Sequence, residues 1–481
     1  MAGEKRELFI GGESVPTLDG RTTEDLNPFT GEVHAVVAAA SPADVTRAVD
    51  AAQEAFASWS ATSPSVRRGI LLRAADDLEA RTPEAVKLMA AEVGGVAGWA
   101  GFNVMLAAGI LREAAAAVTQ PVGEVLTTEV PGQLSLAVRE PLGVVAAFAP
   151  WNAPIILSTR AVAAPIAAGN TVVLKPSEDA PIAAGLFIAD VLHEAGLPAG
   201  VLNVVTNAPQ DAAEVATALI TDPRVRAVNF TGSTEVGRIV GTLAAQHLKP
   251  AVLELGGKNS LLVLDDADLD HAVNAATFGS FLNAGQICMS TDRILVHRAV
   301  AEEFTAKLAA KVSSLPHGDP ADAGTVIGPV INPRAAQRIA ALVGEAVGAG
   351  ARVRAGGEGA ATVLDGVTPD MRIFQEEIFG PAVVVTTVAD DDEAVTIANN
   401  TEHGLTAGII TEDSRRGFGL AQRIRTGIVH VGNQTVDDEP QAPFGGVKAS
   451  GYGRFGGRWG IEAFSTTRWV TIAGGHGHFP F

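Results

Sequence analysis

Six short stretches of the chain combine residue types that carry chemistry. The first surrounds the sole cysteine, Asn283-Ala284-Gly285-Gln286-Ile287-Cys288-Met289. Gly285 and Gln286 interrupt the helix predicted from residue 269, which puts Cys288 at a break. Backbone N–H groups freed there would lower the thiol pKa and stabilise an oxyanion. A single Cys in a reducing compartment is also commonly an inert, buried small hydrophobe, and spacing alone leaves both readings open. The second stretch is Leu253-Glu254-Leu255-Gly256-Gly257-Lys258. Glu254 closes an apolar run, and two leucines beside it should desolvate the carboxylate and raise its pKa into the range of a general base. Taken alone, a helix anchor or a salt bridge to Lys258 fits it better.

The remaining four stretches suit a bound ligand. Pro150-Trp151-Asn152 follows a predicted strand, the end at which open α/β sheets bind ligands. Asn152 offers an uncharged amide to developing negative charge, although an Asn after a strand is usually a turn former. Lys175-Pro176-Ser177-Glu178 also follows a strand. There a carboxylate and an ammonium could hold the hydroxyls of a ribose, with a surface ion pair as the competing reading. Asn229-Phe230-Thr231-Gly232-Ser233-Thr234-Glu235-Val236-Gly237 runs from strand into helix without a full Gly-x-Gly-x-x-Gly or a Gly-Lys-Ser/Thr. Free N–H groups at that helix start still suit a pyrophosphate. Glu376-Glu377-Ile378-Phe379-Gly380-Pro381 sets carboxylates beside an aromatic ring, suited to a ribose and a nicotinamide, or to a turn between domains.

These segments need a scaffold, and from about residue 140 the pattern supplies one. Apolar, β-branched runs at 143–149, 171–175, 201–206 and 226–230 alternate with helical stretches at 181–195, 212–220 and 235–246. A second series follows: strands 260–264, 293–297, 382–388, 407–411 and 428–431, with helices from 269 and over 301–313. Such alternation predicts parallel sheets covered by helices, as two α/β units meeting near residues 250–260. The segment 123–139, with Pro131-Gly132 inside, reads as a protruding hairpin. The β-prone tail 465–472 needs an edge to pair with, either that hairpin or another subunit's sheet.

Composition bounds the function. The 481 residues allow two or three domains, and 47% hydrophobic with 19% charged residues is globular. A net charge of −19 repels phosphate backbones and argues against nucleic acid. One cysteine permits no internal disulfide, no Cys-based zinc site and no iron–sulfur cluster, so no metal is expected. Apolar runs are too short for a membrane span, and the first twenty residues hold no secretory core segment. A cytoplasmic location is therefore expected.

Asn152, Lys175 with Glu178, Gly232 with Ser233, Glu254, Cys288 and Glu377 with Phe379 resemble the aldehyde dehydrogenase superfamily in identity, order and spacing. The resemblance covers nearly the whole chain and extends to Pro443-Phe444-Gly445-Gly446 and Ser450-Gly451-Tyr452-Gly453-Arg454. It implies an α/β fold with a Rossmann-like NAD-binding domain (1–118 and 142–253), an α/β catalytic domain (254–464) and a small β oligomerisation element (119–141 and 465–481). Cys288 is then the nucleophile and Glu254 the general base. Asn152 forms the oxyanion hole with the Cys288 N–H, and Lys175 stands with this catalytic set. Pro150, Trp151, Lys175, Ser177, Glu178, Phe230, Thr231, Gly232, Ser233, Val236, Leu255, Gly256, Glu377 and Phe379 match cofactor-contacting positions. NAD is favoured over NADP, because a 2′-phosphate would face the Glu178 carboxylate. A homodimer or homotetramer is implied, with a small-molecule aldehyde as substrate.

The segments around Trp99, Cys288 and Phe444, and the ending Gly477-His478-Phe479-Pro480-Phe481, look like the branch acting on benzaldehyde, salicylaldehyde and vanillin. Trp99, Phe102, Met289 and Phe444 would line an apolar slot for a flat ring, with Asn103 beside them. Ordinary core packing is the bland alternative for each. Arg160 could meet a ring hydroxyl or methoxy, or could be a structural cation. The competing functions are an aliphatic or semialdehyde dehydrogenase, a CoA-acylating enzyme, and a non-catalytic protein on this fold. Glu254 disfavours the CoA-acylating reading, and retention of Cys288, Glu254 and Asn152 together disfavours the non-catalytic one.

Overall fold

The computed structural model describes residues 4–120, 122–357, 360–476 and 479–481. The chain ending expected to mark the aromatic-aldehyde branch therefore falls partly, at 477–478, outside the described residues. Strands Val144–Ala149 and Thr171–Pro176 are buried along their whole length, as β-branched runs covered on both faces must be. They form the middle of an eight-stranded sheet ordered Gly451–Tyr452, Ala251–Glu254, Val225–Thr231, Val144–Ala149, Thr171–Pro176, Leu202–Val204, Leu8–Ile10, Glu13–Val15. The five strands from Ala251–Glu254 to Leu202–Val204 are parallel, so their carboxyl ends share one edge.

A second sheet of seven strands is ordered Arg352–Ala355, Thr362–Asp365, Ala382–Val388, Thr291–His297, Asn259–Val263, Thr406–Ile410, Ile428–Val431. All but its first pair are parallel. The chain passes from one sheet to the other between Glu254 and Asn259, through Gly256-Gly257. The second unit does not run unbroken to 464. Gly451–Tyr452 pairs antiparallel with Ala251–Glu254 at the edge of the first sheet, and Phe444, Phe455, Ile461 and Phe464 join the first unit's core.

Helix 181–195 also differs from expectation. It opens as a π-turn, Ile182–Leu186, before continuing as Phe187–Glu194. The buried Glu92 carboxylate accepts the N–H groups of Ile182 and Ala183, each at 2.7 Å, and so caps the start of this turn. Strands Gly123–Leu126 and Leu134–Pro141 make the hairpin, and the tail Ser465–Ile472 pairs antiparallel with Leu134–Pro141 along its whole length. Among the described residues, no single helix is long and apolar enough to cross a membrane.

Candidate functional site

Three neighbouring parallel strands of the first sheet end side by side, and each delivers one of the motifs. Val144–Ala149 leads into Pro150-Trp151-Asn152, Val225–Thr231 into Gly232-Ser233, and Ala251–Glu254 ends on Glu254 itself. Opposite them, the second unit brings Cys288 and the Glu377–Phe379 loop. A cavity of about 320 Å³ lies between. Pro150, Trp151, Asn152, Thr231, Gly232, Ser233, Glu254, Gly256, Cys288, Glu377 and Phe379 all line it.

The loop carrying Cys288 is strained into place. After helix Leu269–Phe281, Asn283, Ala284 and Gly285 all take positive φ (50°, 53° and 70°), a left-handed run costly for any residue but Gly. A Cβ on Gly285 would stand 2.2 Å from the Gly380 oxygen, so only glycine fits. Asn283 donates to the Asn152 carbonyl at 3.0 Å, and the Trp99 indole donates to the same oxygen at 3.1 Å. Asn259 holds the Cys288 carbonyl at 2.8 Å. The backbones of Asn152 and Cys288 are thus fixed from three elements. Among the described residues, nothing hydrogen-bonds the Asn152 side-chain amide.

Glu254 is 1% exposed, and apart from the adjoining Cys288 thiol no group hydrogen-bonds either carboxylate oxygen. Burial pushes its pKa up to about 7, partly offset by the Arg160 charge. The salt bridge to Lys258 is absent: that ammonium lies 3.6 Å from Asp292. The thiol runs against expectation. Burial first, and then the charges of Glu254 and Glu377, hold the Cys288 pKa well above its usual value. The helix break was expected to lower it, but burial of the sulfur, with two carboxylates distant in sequence acting on it, outweighs any local N–H effect.

The side facing a nucleotide is equally ordered. Ser233 caps helix Thr234–Gln246, accepting from the Val236 N–H at 3.3 Å, and the helix start opens on the cavity. A Cβ on Gly232 would meet the Phe230 ring at 2.6 Å, so this position keeps the backbone low over that ring. Lys175 and Glu178 form an ion pair, and Asn207 adds a hydrogen bond to the Glu178 carboxylate at 2.9 Å. Burial works to raise Glu178, but the Lys175 ammonium and Asn207 outweigh it and hold the carboxyl low. Glu377 accepts from the Gly257 N–H at 2.9 Å, and burial pushes its pKa to about 8. Trp151 meets Phe379 edge-on, with ring centroids 5.5 Å apart. A helix N-terminus opening on the cavity, with the Glu377 carboxylate in its wall, fits a dinucleotide. Lys175, Ser177, Glu178, Phe230, Val236 and Leu255 do not line the cavity and stand behind or beside its wall. Among the described residues, no group of three or more His, Cys, Asp or Glu is placed to hold a metal ion.

The expected aromatic slot is not found as drawn. None of Trp99, Phe102, Asn103, Met289, Phe444 or Arg160 lines this cavity, and Arg160 and Phe444 line a separate small one. Trp99 is 2% exposed and stacks on Phe102. Asn103 is fully buried, bonding the Trp99 carbonyl and the Ile156 N–H. Met289 and Phe444 are core residues, and Arg160 is ion-paired with Asp438. Conversely, Asp179, Ile331, Asn332, Arg334, Ala335 and Arg338 do line the cavity. Asn332-Pro333 is legible in sequence as a helix start, with Asn332 capping Ala335 at 2.9 Å. Nothing local says which cleft the helix faces. Arg338 donates to the Glu377 and Ile378 carbonyls and so holds the Glu377–Phe379 loop.

Residues 16–470 match the family model described as the aldehyde dehydrogenase family. The chain belongs to the aldehyde dehydrogenase family. It is 54% identical to a vanillin dehydrogenase of Pseudomonas fluorescens, over 98% of this chain and 99% of that one. It is 46% identical to a salicylaldehyde dehydrogenase of Pseudomonas sp. (strain C18), over 99% and 100%. A crystal structure of a salicylaldehyde dehydrogenase from Pseudomonas putida G7 complexed with salicylaldehyde superposes with a TM-score of 0.97. Identity there is 45%, over 99% of this chain and 100% of that one. As a member of this family, the enzyme is an aldehyde oxidoreductase using NAD(P).

Proposed function

We propose that this aldehyde dehydrogenase oxidises aromatic aldehydes of the benzaldehyde, salicylaldehyde or vanillin type to their acids, with NAD preferred. One observation carries the chemistry: the Cys288 thiol and the Glu254 carboxylate adjoin in one cavity that the free Asn152 amide also lines. The relatives named for vanillin and salicylaldehyde support the substrate class. Side-by-side turnover of benzaldehydes, hexanal and succinate semialdehyde tests it. The aromatics should give the higher kcat/KM, and failure on every one rejects the proposal.

Cys288 starts as a neutral thiol, and Glu254 is the nearest base to take its proton. Sγ then adds to the carbonyl carbon, forming a thiohemiacetal whose oxyanion receives the Asn152 amide and the Cys288 N–H. A nicotinamide dinucleotide, when bound, supplies the hydride acceptor. The acyl group left on Sγ is a thioester. Once Glu254 has released the thiol proton to solvent, its carboxylate takes a proton from the water that attacks the thioester, and the thiolate leaves. Lys175, Glu178, Ser233 and Glu377 are the residues that would hold the dinucleotide.

Asn152→Ala is expected to lower kcat about 10²- to 10³-fold with little change in NAD affinity, checked by steady-state kinetics and a binding titration. Glu178→Gln removes the charge beside the ribose position. It should raise kcat/KM with NADP relative to NAD by about tenfold, read from the two cofactor titrations. A homodimer or homotetramer is supported by the apolar residues left exposed on the hairpin sheet: Val122, Val125, Trp469 and Ile472 are 68%, 75%, 71% and 55% exposed. A cytoplasmic location is supported by a chain whose single cysteine forms no internal disulfide.

A further inference from the structure

The loop that carries Glu377 and Phe379 into the cavity joins helix Arg372–Gln375 to strand Ala382–Val388. Ile378, between them, is fully buried and does not line the cavity. Phe379 takes a φ of 47°, a left-handed conformation that costs an aromatic residue energy and persists only where its surroundings impose it. The Glu377 carboxylate is pressed onto the linker between the two sheets. A Cβ on Gly256 would stand 2.3 Å from its Oε2, and the Gly257 N–H donates to its Oε1 at 2.9 Å. The loop is held in a shape it would not take alone, so the contacts that impose that shape set the pose of both cavity side chains.

One of those contacts comes from a buried carboxylate. Asp292, the second residue of strand Thr291–His297, accepts the Ile378 N–H at 3.1 Å. Lys258, beside Gly257 in the linker, places its ammonium 3.6 Å from the same oxygen. The two side chains are 5% and 0% exposed, so each charge needs the other. Among the described residues, nothing hydrogen-bonds the Lys258 ammonium, which leaves its charge as what it offers Asp292. Asn259, next along, holds the carbonyls of Cys288 and Ser290 at 2.8 and 2.9 Å. The linker, the segment after Cys288 and the Glu377–Phe379 loop are therefore each tied to the other two. A buried ion pair adds little net stability, and packed apolar side chains would serve the fold as well. What apolar side chains could not supply is an acceptor for the Ile378 N–H.

We propose that Asp292 is a positioning residue for the dinucleotide: its hydrogen bond to the Ile378 N–H sets the pose of the Glu377–Phe379 loop, and Lys258 supplies the countercharge that lets the carboxylate be buried there. Asp292 does not line the cavity and acts through the loop. The proposal rests on the reading of Glu377 as the residue that holds the ribose next to the nicotinamide, with Lys175 and Glu178 fitted to the ribose of the adenosine half. A loosened loop then weakens ligands that reach Glu377 and spares one that stops at the adenosine half. A general loss of structure would not make that distinction.

The test is equilibrium binding of AMP, ADP-ribose and NAD, with no aldehyde present, to wild type and two double variants. Both carry Lys258→Met, so that neither leaves a buried charge unpaired; one adds Asp292→Ala and the other Asp292→Asn. With Asp292→Ala the Ile378 N–H is buried without its acceptor. NAD and ADP-ribose should then bind about tenfold more weakly, while AMP stays within about twofold of wild type. With Asp292→Asn the amide oxygen accepts the same N–H, and all three ligands should bind within about twofold of wild type. If the alanine pair does not fold, Lys258→Met with Asp292→Leu, which fills the space, replaces it with the same expectation. Equal weakening of all three ligands in the alanine pair, or unchanged binding of NAD and ADP-ribose, would overturn the proposal. An asparagine pair as weak as the alanine pair would overturn it too, because the acceptor would then not be what matters. Glu377→Ala that leaves ADP-ribose binding unchanged would remove the ribose reading and this proposal with it. Wild-type protein and variants that bind as stated, while wild type oxidises no aromatic aldehyde, would refute the proposed function and leave the role of Asp292 standing.

Discussion

Cys288→Ala is expected to abolish NADH formation from aldehydes, with kcat/KM falling about 10⁴-fold or more. An aldehyde carbon gives up hydride poorly until a nucleophile has added to it, and the candidates in the cavity are few. Ser233 lines it, but its hydroxyl oxygen is committed to the cap of helix Thr234–Gln246. Cys288 is the sole cysteine of the chain, so nothing elsewhere replaces the sulfur. Dinucleotide affinity should survive, because the residues fitted to the nucleotide are anchored by contacts independent of the thiol: Glu178 by Lys175, Glu377 by Gly257. NADH absorbance and a NAD binding titration check the two halves. Loss of both would point to a folding defect, and retained turnover would remove Cys288 from the chemistry.

Glu254→Gln separates the steps that Cys288→Ala merges. The amide cannot accept a proton from water, so release of the acid should slow about 10²- to 10⁴-fold. The first turnover should suffer less, provided the assay pH is high enough for the thiol to ionise unaided. Rapid mixing with NAD and benzaldehyde should then give a burst of NADH close to one per active site, followed by a slow phase. The wild-type pH profile belongs to the same argument. Glu254 acts as its carboxylate, and burial places its pKa near 7. Hydrolysis should therefore be lost as pH falls through that value, and this acid limb should be absent from the slow phase of Glu254→Gln. A variant with no burst and an unchanged acid limb would show that another group activates the water.

Where side chains were fully buried and β-branched, local sequence was enough. Strand Ala382–Val388 lies where the pattern placed it, because a run such as Ala-Val-Val-Val has no polar face to offer a helix surface. The motifs at strand ends were legible for the same reason: parallel neighbours bring their carboxyl ends together whatever the loops contain. What failed was set by residues far apart in sequence. The π-turn after Pro181 has no local signal, and Glu92, which caps its first N–H groups, lies some ninety positions earlier. The Cys288 pKa was misjudged in sign because the burial of the sulfur, and then its meeting with Glu254 and Glu377, arise only in the folded chain. Arg160 stood open between a substrate contact and a structural cation because Asp438, which pairs with it, lies in the far third of the sequence. Asn332, Arg334 and Arg338 were missed because their helix is ordinary, and only its placement against the cavity gives them a role.

The claim on which the mechanism stands is that the aldehyde carbon passes through a thioester on one sulfur. The direct measurement is to mix Glu254→Gln with NAD and benzaldehyde, quench in acid during the slow phase, and map the modified peptide by mass spectrometry. A benzoyl group on the peptide containing Cys288, discharged by hydroxylamine and formed only when NAD is present, is the predicted result. NADH produced in the burst with that peptide unmodified would contradict it.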